Sequence, residues 1–424
     1  MHIKALKGFK DILPQEAALW QHIEGRARDI FQRFGYREIK VPILEKTGLF
    51  ARSIGETTDI VEKEMYSFTD RNGESLTMRP EGTASVLRSF IEHNLYSERP
   101  LQKLYTMGPM FRHERPQKGR LRQFHQMSVE ALGVDRPELD AEIMAMAWML
   151  LVDLGLKVSL EINSLGCSKC RPVFNKALLE FLAGSRGELC PDCERRQQKN
   201  PLRVLDCKNA KCQAHYVNAP VILNYLCPDC TAHFQVVEDC LRDLNIDYKV
   251  NSFMVRGLDY YTRTTFELIT HDLGAQSAVG AGGRYDGLIA QLGGPALPGI
   301  GFALGMERLV LLLTADGGSE ASGSIIDIFL AALGPAAGRR AFAMLHALRL
   351  QGLRVVMDYT GRSLKSQMKQ AARCGSRFAL IMGDDELSSG RAMLRDMGNH
   401  EQHEIELSAD LTAWSKVMAA EIVT

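Results

Sequence analysis

The segment Phe111-Arg112-His113-Glu114-Arg115-Pro116-Gln117-Lys118-Gly119-Arg120-Leu121-Arg122-Gln123-Phe124-His125-Gln126 gathers five cationic side chains in a chain of zero formal net charge. Arg112 and Glu114 alternate on a strand-like opening, so their side chains share one face. Pro116 and Gly119 break the strand, and Phe124 and Gln126 resume the alternation on a second one. The expected unit is a hairpin with both signs of charge on one face and a cationic tip. Such a face suits a polyphosphate, with an aromatic ring and a carboxylate to hold a purine base. An exposed, salt-bridged hairpin is the plainer reading, and four further segments argue against it.

Met78-Arg79-Pro80-Glu81-Gly82-Thr83 places a carboxylate and a hydroxyl at a helix start, where a capped N-terminus is an equal alternative. Val255-Arg256-Gly257-Leu258-Asp259-Tyr260-Tyr261-Thr262-Arg263-Thr264 crowds two arginines, an aspartate and paired tyrosines around a glycine turn. Gly280-Ala281-Gly282-Gly283-Arg284-Tyr285-Asp286-Gly287-Leu288 lets backbone approach a ligand closely. Gly299-Ile300-Gly301-Phe302-Ala303-Leu304-Gly305-Met306-Glu307-Arg308-Leu309 reads as a small-residue strand running into a helix. Arg308 on its first turns, opposite Phe124, could sandwich a flat base through cation–π stacking.

Those residues need a scaffold. A chain of 424 residues suggests two or three domains, and 46% apolar with 24% charged residues is the composition of a globular enzyme. Equal numbers of acidic and basic residues, 51 each, exclude general charge-driven coating of nucleic acid but leave room for local basic surfaces. The charged N-terminus has no secretory signal and no run approaches the ~18 apolar residues of a membrane span, so a cytoplasmic protein with reduced thiols is expected. The patterning predicts helices over Glu16 to Phe34, Thr83 to Asn94, Asp140 to Leu154 and Gly305 to Leu313. Strands are predicted at Tyr36 to Glu45, Ser75 to Arg79, Lys249 to Val255 and Thr264 to Thr270. Residues 317–324 read as a Gly/Ser linker. Beyond it, short strands from Ile325, Arg354, Phe378 and Arg391 alternate with helices in a separate α/β domain.

In this order the segments resemble the three signature motifs of class II aminoacyl-tRNA synthetases, and specifically the histidyl-tRNA synthetase family. Motif 1 resembles the Tyr36 to Leu44 stretch with Pro42, motif 2 the Phe111 to Gln126 hairpin, and motif 3 Gly301 to Arg308. Arg256-Gly257-Leu258-Asp259-Tyr260-Tyr261 and Gly282-Gly283-Arg284-Tyr285-Asp286-Gly287-Leu288 are similar to the family's histidine signatures. Lys7-Gly8-Phe9-Lys10-Asp11-Ile12-Leu13-Pro14 resembles its N-terminus, and the likeness covers nearly the whole chain.

The resemblance implies an α+β fold in four stretches. These are a class II antiparallel-sheet catalytic domain in two parts (1–165 and 241–318), a cysteine-rich insertion (166–240) and a C-terminal α/β anticodon-binding domain (325–424). It implies a histidine–tRNA ligase that uses ATP with Mg²⁺ to make histidyl-adenylate and pyrophosphate, then charges the 3′ end of tRNA, working as a homodimer. It also implies the site. Arg112 would hold the α-phosphate with Arg256 opposite, Glu114 the adenine amino group, and Phe124 with Arg308 the two adenine faces. Glu81, Thr83 and Gln126 would take the histidine α-amino group, Glu130 and Tyr260 the imidazole nitrogens, and Tyr261 and Tyr285 would line the pocket. A regulatory paralogue that binds histidine without catalysis would lack the last domain and the catalytic arginines, which this chain keeps.

Two features stand beside that likeness. Cys167-x₂-Cys170, Cys190-x₂-Cys193, Cys207-x₄-Cys212 and Cys227-x₂-Cys230 are four pairs with zinc-ligand spacing, enough for two Cys₄ sites or one with spare thiols. The adenylation residues lie outside this stretch, so metal loss is expected to hurt tRNA charging more than histidine activation. Cys240 and Cys374 are unpaired in sequence and are expected to be buried thiols. In the last domain Arg362, Lys365, Lys369, Arg373 and Arg377 recur at spacings of three and four, as a cationic helix stripe for phosphate contact would.

Overall fold

The computed structural model describes residues 3–55, 58–184, 188–207, 209–270, 278–315 and 326–423. The chain forms two compact units, Met1–Gly318 and Ser319–Thr424. The Gly/Ser run at 317–324 lies outside the described residues. Among those described, no helix is long and apolar enough to cross a membrane.

An eight-stranded sheet organises the first unit. Its order is Arg37–Glu38, Gln102–Phe111, Gln123–Leu132, Gly299–Gly305, Ala278–Arg284, Thr262–Ile269, Ser159–Ser164 and Tyr248–Val250. The six central strands pair antiparallel, and each edge strand is parallel to its neighbour. Side-chain alternation divides the sheet into two faces. Met127, Val129 and Ala131 join Ile300, Phe302 and Leu304 in the main core, beneath helices Pro14–Arg33, Pro137–Asp153 and Pro228–Asp243. The other face carries Phe124, Gln126 and Ser128 over a floor of small residues at Gly301, Ala303 and Gly305. Small residues are required there: a Cβ on Gly301 would stand 1.9 Å from Glu130 Oε2.

Two expected strands are shorter than their patterning suggests. The motif 1 stretch pairs only at Arg37–Glu38, with Ile39 N donating to Tyr105 O at 2.8 Å. Pro42, which has no N–H to give, then separates it from Leu44–Lys46 in a distinct three-stranded sheet. The first hairpin strand ends at Phe111, so Arg112 and Glu114 stand on the connecting loop. There His113 N turns away to Glu64 O at 2.7 Å.

The cysteine-rich stretch folds into helices Cys170–Ala183, Pro191–Lys199 and Ala210–Tyr216 before Pro228–Asp243 returns to the sheet. Its apolar side chains Phe174, Leu178, Val204 and Tyr216 share one core with Tyr260, Tyr261 and Tyr285.

The second unit has a five-stranded sheet in the order Val355–Met357, Ile326–Leu333, Ser376–Gly383, Arg391–Asp396, Gln402–Glu406. The first three strands are parallel and the last two antiparallel. Ile328 and Leu330 face helices Pro335–Leu350 and Leu411–Val423, while Phe329 and Ala331 face Leu364–Arg373. Only Lys365, Lys369 and Arg373 of the expected stripe are helical. Arg362 precedes the helix and Arg377 sits on the next strand, because the turn Cys374-Gly375 ends the helix with Gly375 at φ +66°. All five are exposed.

Candidate active site

A cleft of about 270 Å³ opens on the free face of the large sheet. Glu81, Thr83, Arg112, Glu114, Phe124, Gln126, Arg256, Tyr260, Tyr261, Tyr285 and Arg308 all line it, although they come from five separate stretches of sequence.

One end is cationic. Arg112 Nε donates to Pro80 O at 2.8 Å, and its guanidinium lies 5.3 Å from the centre of the Phe124 ring. Arg308, expected on the other face of a base from Phe124, lines the same cleft and donates to Ala278 O. Arg120 pairs with Glu114 at 2.8 Å. Burial, and then the neighbouring charges of Arg120 and Arg112, push the Arg308 guanidinium below its ordinary value against a counter-pull from Glu114. Like charges held this close are arranged for an anion of more than one charge. On the opposite wall Arg256 pairs with Glu267 and stacks over Tyr261 at 5.4 Å.

The other end is buried and rich in acceptors. Both carboxylate oxygens of Glu81 accept backbone N–H bonds at the start of helix Thr83–Glu92, from Thr83 and Ala84 at 2.8 Å each. Glu81 therefore caps the helix as well as facing the cleft. Glu130 stands just behind the wall, where the Thr83 hydroxyl donates to it at 2.6 Å and the Tyr285 hydroxyl donates to its other oxygen. Burial raises the Glu130 carboxyl to about 8 and also lifts Glu81. Gln126 lines the cleft, and its Oε1 is buried with no hydrogen-bond partner. Tyr260 packs on Tyr261 with ring centres 4.7 Å apart and edge-on to Tyr285 at 5.7 Å. The pocket thus pairs an anion-binding end with an end built for a cationic or donor-rich ligand.

The eight paired cysteines resolve into two tetrads: Cys167, Cys170, Cys227 and Cys230, and Cys190, Cys193, Cys207 and Cys212. Within each, all ligand atoms lie within 4.8 Å of one another. Sulfur separations of 3.7 Å for Cys167–Cys170, 3.8 Å for Cys167–Cys227 and 3.8 Å for Cys190–Cys207 match the roughly 3.8 Å edge of a tetrahedron with ~2.3 Å metal–sulfur bonds. In each tetrad one cysteine pair follows the same local design. Cys190-Pro191-Asp192-Cys193 and Cys227-Pro228-Asp229-Cys230 both start a helix with the first cysteine at the N-cap and proline at the next position. That repeated tetrapeptide is a signal the sequence reading passed over. Cys240 and Cys374 stand outside both tetrads and are half-buried rather than fully buried.

Sequence reasoning also passed over Arg79, which is buried and ties Pro109 O at 2.9 Å to Val41 O at 3.0 Å. It likewise missed Glu307, which accepts from His125 N at 2.9 Å, and Glu267, the partner of Arg256. Each lies within or beside a quoted motif, yet only the folded chain shows what it meets.

Comparison with known proteins identifies the lineage. A family model described as histidyl-tRNA synthetase matches residues 8–169 and 219–309, and one described as an anticodon binding domain matches 327–413. Residues 170–218, which hold the outer part of the insertion, fall between the matched segments. A histidine–tRNA ligase of Desulfotalea psychrophila is 58% identical over 410 residues, spanning 96% of this chain and 95% of that one. One of Syntrophotalea carbinolica is 55% identical over 408 residues, spanning 96% and 97%. The crystal structure of apo S. aureus histidyl-tRNA synthetase aligns with a TM-score of 0.83 at 37% identity, covering 99% of this chain and 100% of that one. With its antiparallel catalytic sheet, cysteine-rich insertion and C-terminal anticodon-binding domain, the chain belongs to the histidyl-tRNA synthetase family.

Proposed function

We propose that the cleft activates L-histidine with ATP to give histidyl-adenylate and pyrophosphate, and then passes the histidyl group to the terminal ribose of its tRNA. The observation that carries this reading is the two-ended cleft. Guanidiniums of Arg112, Arg256 and Arg308 line one part, and the buried acceptors Gln126 Oε1 and Glu130 serve the other.

The division of labour follows from the chemistry of each group. Glu81, Thr83 and Gln126 take the histidine ammonium, and Glu130 with Tyr260 takes the two imidazole nitrogens, with Tyr261 and Tyr285 as walls. Glu114 accepts from the adenine amino group once Arg120 releases it, and Phe124 and Arg308 cover the ring. Arg112 and Arg256 hold the α-phosphate from two sides while a histidine carboxylate oxygen attacks it in line and the bond to pyrophosphate breaks. No covalent enzyme intermediate forms, so positioning and charge stabilisation supply the rate. Among the described residues, the groups of three or more potential metal ligands are the two cysteine tetrads. Mg²⁺ would therefore enter on the phosphates, whose charge it neutralises when bound. We assign Zn²⁺ to the tetrads on their thiolate donors and tetrahedral spacing.

The basic surface of helix Leu364–Arg373 serves tRNA phosphates. The exposed apolar run Pro42-Ile43-Leu44, with Ile43 at 41% and Leu44 at 42%, is the surface a second copy covers in a homodimer. A cytoplasmic setting, where thiols stay reduced, accords with this use of cysteine. Histidine-dependent ATP–pyrophosphate exchange, run against all twenty amino acids, is the test. Exchange with histidine alone is expected, and its absence would refute the assignment.

A further inference from the structure

We propose that the two metal tetrads hold the segment 256–263 from both ends, so that metal occupancy sets how well the site binds histidine. The inference rests on the zinc reading above and adds Arg171, Asn200 and Arg203 as positioning residues. The segment carries Arg256, Tyr260 and Tyr261, and no regular strand or helix supports it before Thr262.

The first tetrad reaches its far end. Arg171 follows the ligand Cys170 directly. Its guanidinium donates to Leu165 O at 3.3 Å and to the carbonyl of Tyr261. The backbone beside Cys167 bonds the same place twice, Leu165 N to Arg263 O at 2.7 Å and Arg263 N to Gly166 O at 2.9 Å. Arg263 sits at φ +48°, a conformation that a residue other than glycine keeps only when its surroundings impose it.

The second tetrad reaches the near end. Between its ligands Cys193 and Cys207, Asn200 Nδ2 donates to Asp259 Oδ1 and Arg203 Nη1 donates to Gly257 O, each at 2.8 Å. Arg203 also stands 3.8 Å from Asp259. The insertion therefore grips the residues on either side of the tyrosine pair. The helices Pro191–Lys199 and Ala210–Tyr216 around the second tetrad are short, so a closed Cys₄ site supplies rigidity that their own packing would not. On this reading metal loss weakens histidine activation as well as the tRNA charging that the sequence expects it to hurt more.

The test uses full-length enzyme purified without chelator, its zinc measured by elemental analysis. Asn200→Ala and Arg171→Lys leave all eight thiolates in place and should keep two zinc ions per chain. Each should raise the histidine KM in pyrophosphate exchange about tenfold, the scale of one hydrogen bond to a charged or buried group. The ATP KM should stay within about twofold. Amide hydrogen exchange across 257–263 should quicken in both variants, and likewise in parent enzyme stripped of zinc by a mercurial. Zinc-replete variants with parental histidine KM and parental exchange in that segment would overturn the clamp. Parent protein with less than about a tenth of an equivalent of transition metal would instead overturn the zinc reading on which it rests.

Discussion

Replacing Glu130 with Gln should stabilise the ligand-free protein at mildly alkaline pH while weakening histidine activation. Burial drives the Glu130 carboxyl from 4.5 up to about 8, against hydrogen bonds from Thr83 and Tyr285 that favour the charged form. Between those values the folded protein keeps a proton that the unfolded chain has released. Stability contributed below pH 4.5 is therefore lost as pH rises toward 8. Each unit of pH inside that window is worth about 1.4 kcal/mol. Integrated from about pH 5.5 to 8, this one group removes on the order of 3 kcal/mol. Gln keeps the shape and has no proton to lose, so the variant should lose about 3 kcal/mol less over the same interval. Urea unfolding of parent and variant at matched pH, without ligands, measures the difference. Parallel pH curves would refute the placing of this ionisation in the pocket. The same variant should raise the histidine KM about tenfold, since leaving a buried polar group without its partner costs about 1–3 kcal/mol, with ATP affinity little changed.

Arg256→Ala should depress the adenylation rate by about a hundredfold or more while changing the histidine KM far less, because the guanidinium answers charge that grows during the reaction. A near-normal rate with a large KM change, in a pyrophosphate-exchange titration, would remove that role. Gly301→Ala puts a methyl group where Glu130 Oε2 stands 1.9 Å away. It should cost roughly 1–3 kcal/mol of stability in urea titrations and should raise the histidine KM. A chain ending at Gly318 should still exchange pyrophosphate with histidine but charge tRNA poorly, once its mass in solution has been matched to the parent. Charging at parental efficiency would detach the anticodon role from the last domain.

The sequence made the working face of the sheet legible because alternation is a local rule. Phe124, Gln126 and Glu130 recur at even positions of Gln123–Leu132, and the odd positions Met127, Val129 and Ala131 are core. It misjudged Arg112 and Glu114, whose alternation continues past the last paired residue, Phe111. Pairing there is decided by contacts with Glu64 and Arg122, distant in sequence or across the hairpin. The shortened motif 1 strand was half-legible, since Pro42 was in view and its effect on the register was not. Which cysteine pairs meet could not be read from spacing, because Cys167 and Cys170 close with a pair about sixty positions downstream. Arg171, Asn200 and Arg203 gave no signal at all. Nothing in an arginine or asparagine shows that its partner will be a backbone carbonyl in another segment.

The strand Gln123–Leu132 also bears on how such an enzyme can be altered. Phe124, Gln126 and Ser128 face the cleft over a floor of glycine and alanine, with Glu130 just behind, and the alternate positions Met127, Val129 and Ala131 are sealed among helices. Substitutions at 124, 126, 128 and 130 can reshape the acceptor for a histidine analogue without disturbing the side chains that hold the domain together. A single-residue insertion in the same strand would exchange the two sets and present Met127 and Val129 to the substrate. Changes of length are thus confined to the tip between Arg112 and Arg122, and changes of preference to alternate positions along one strand.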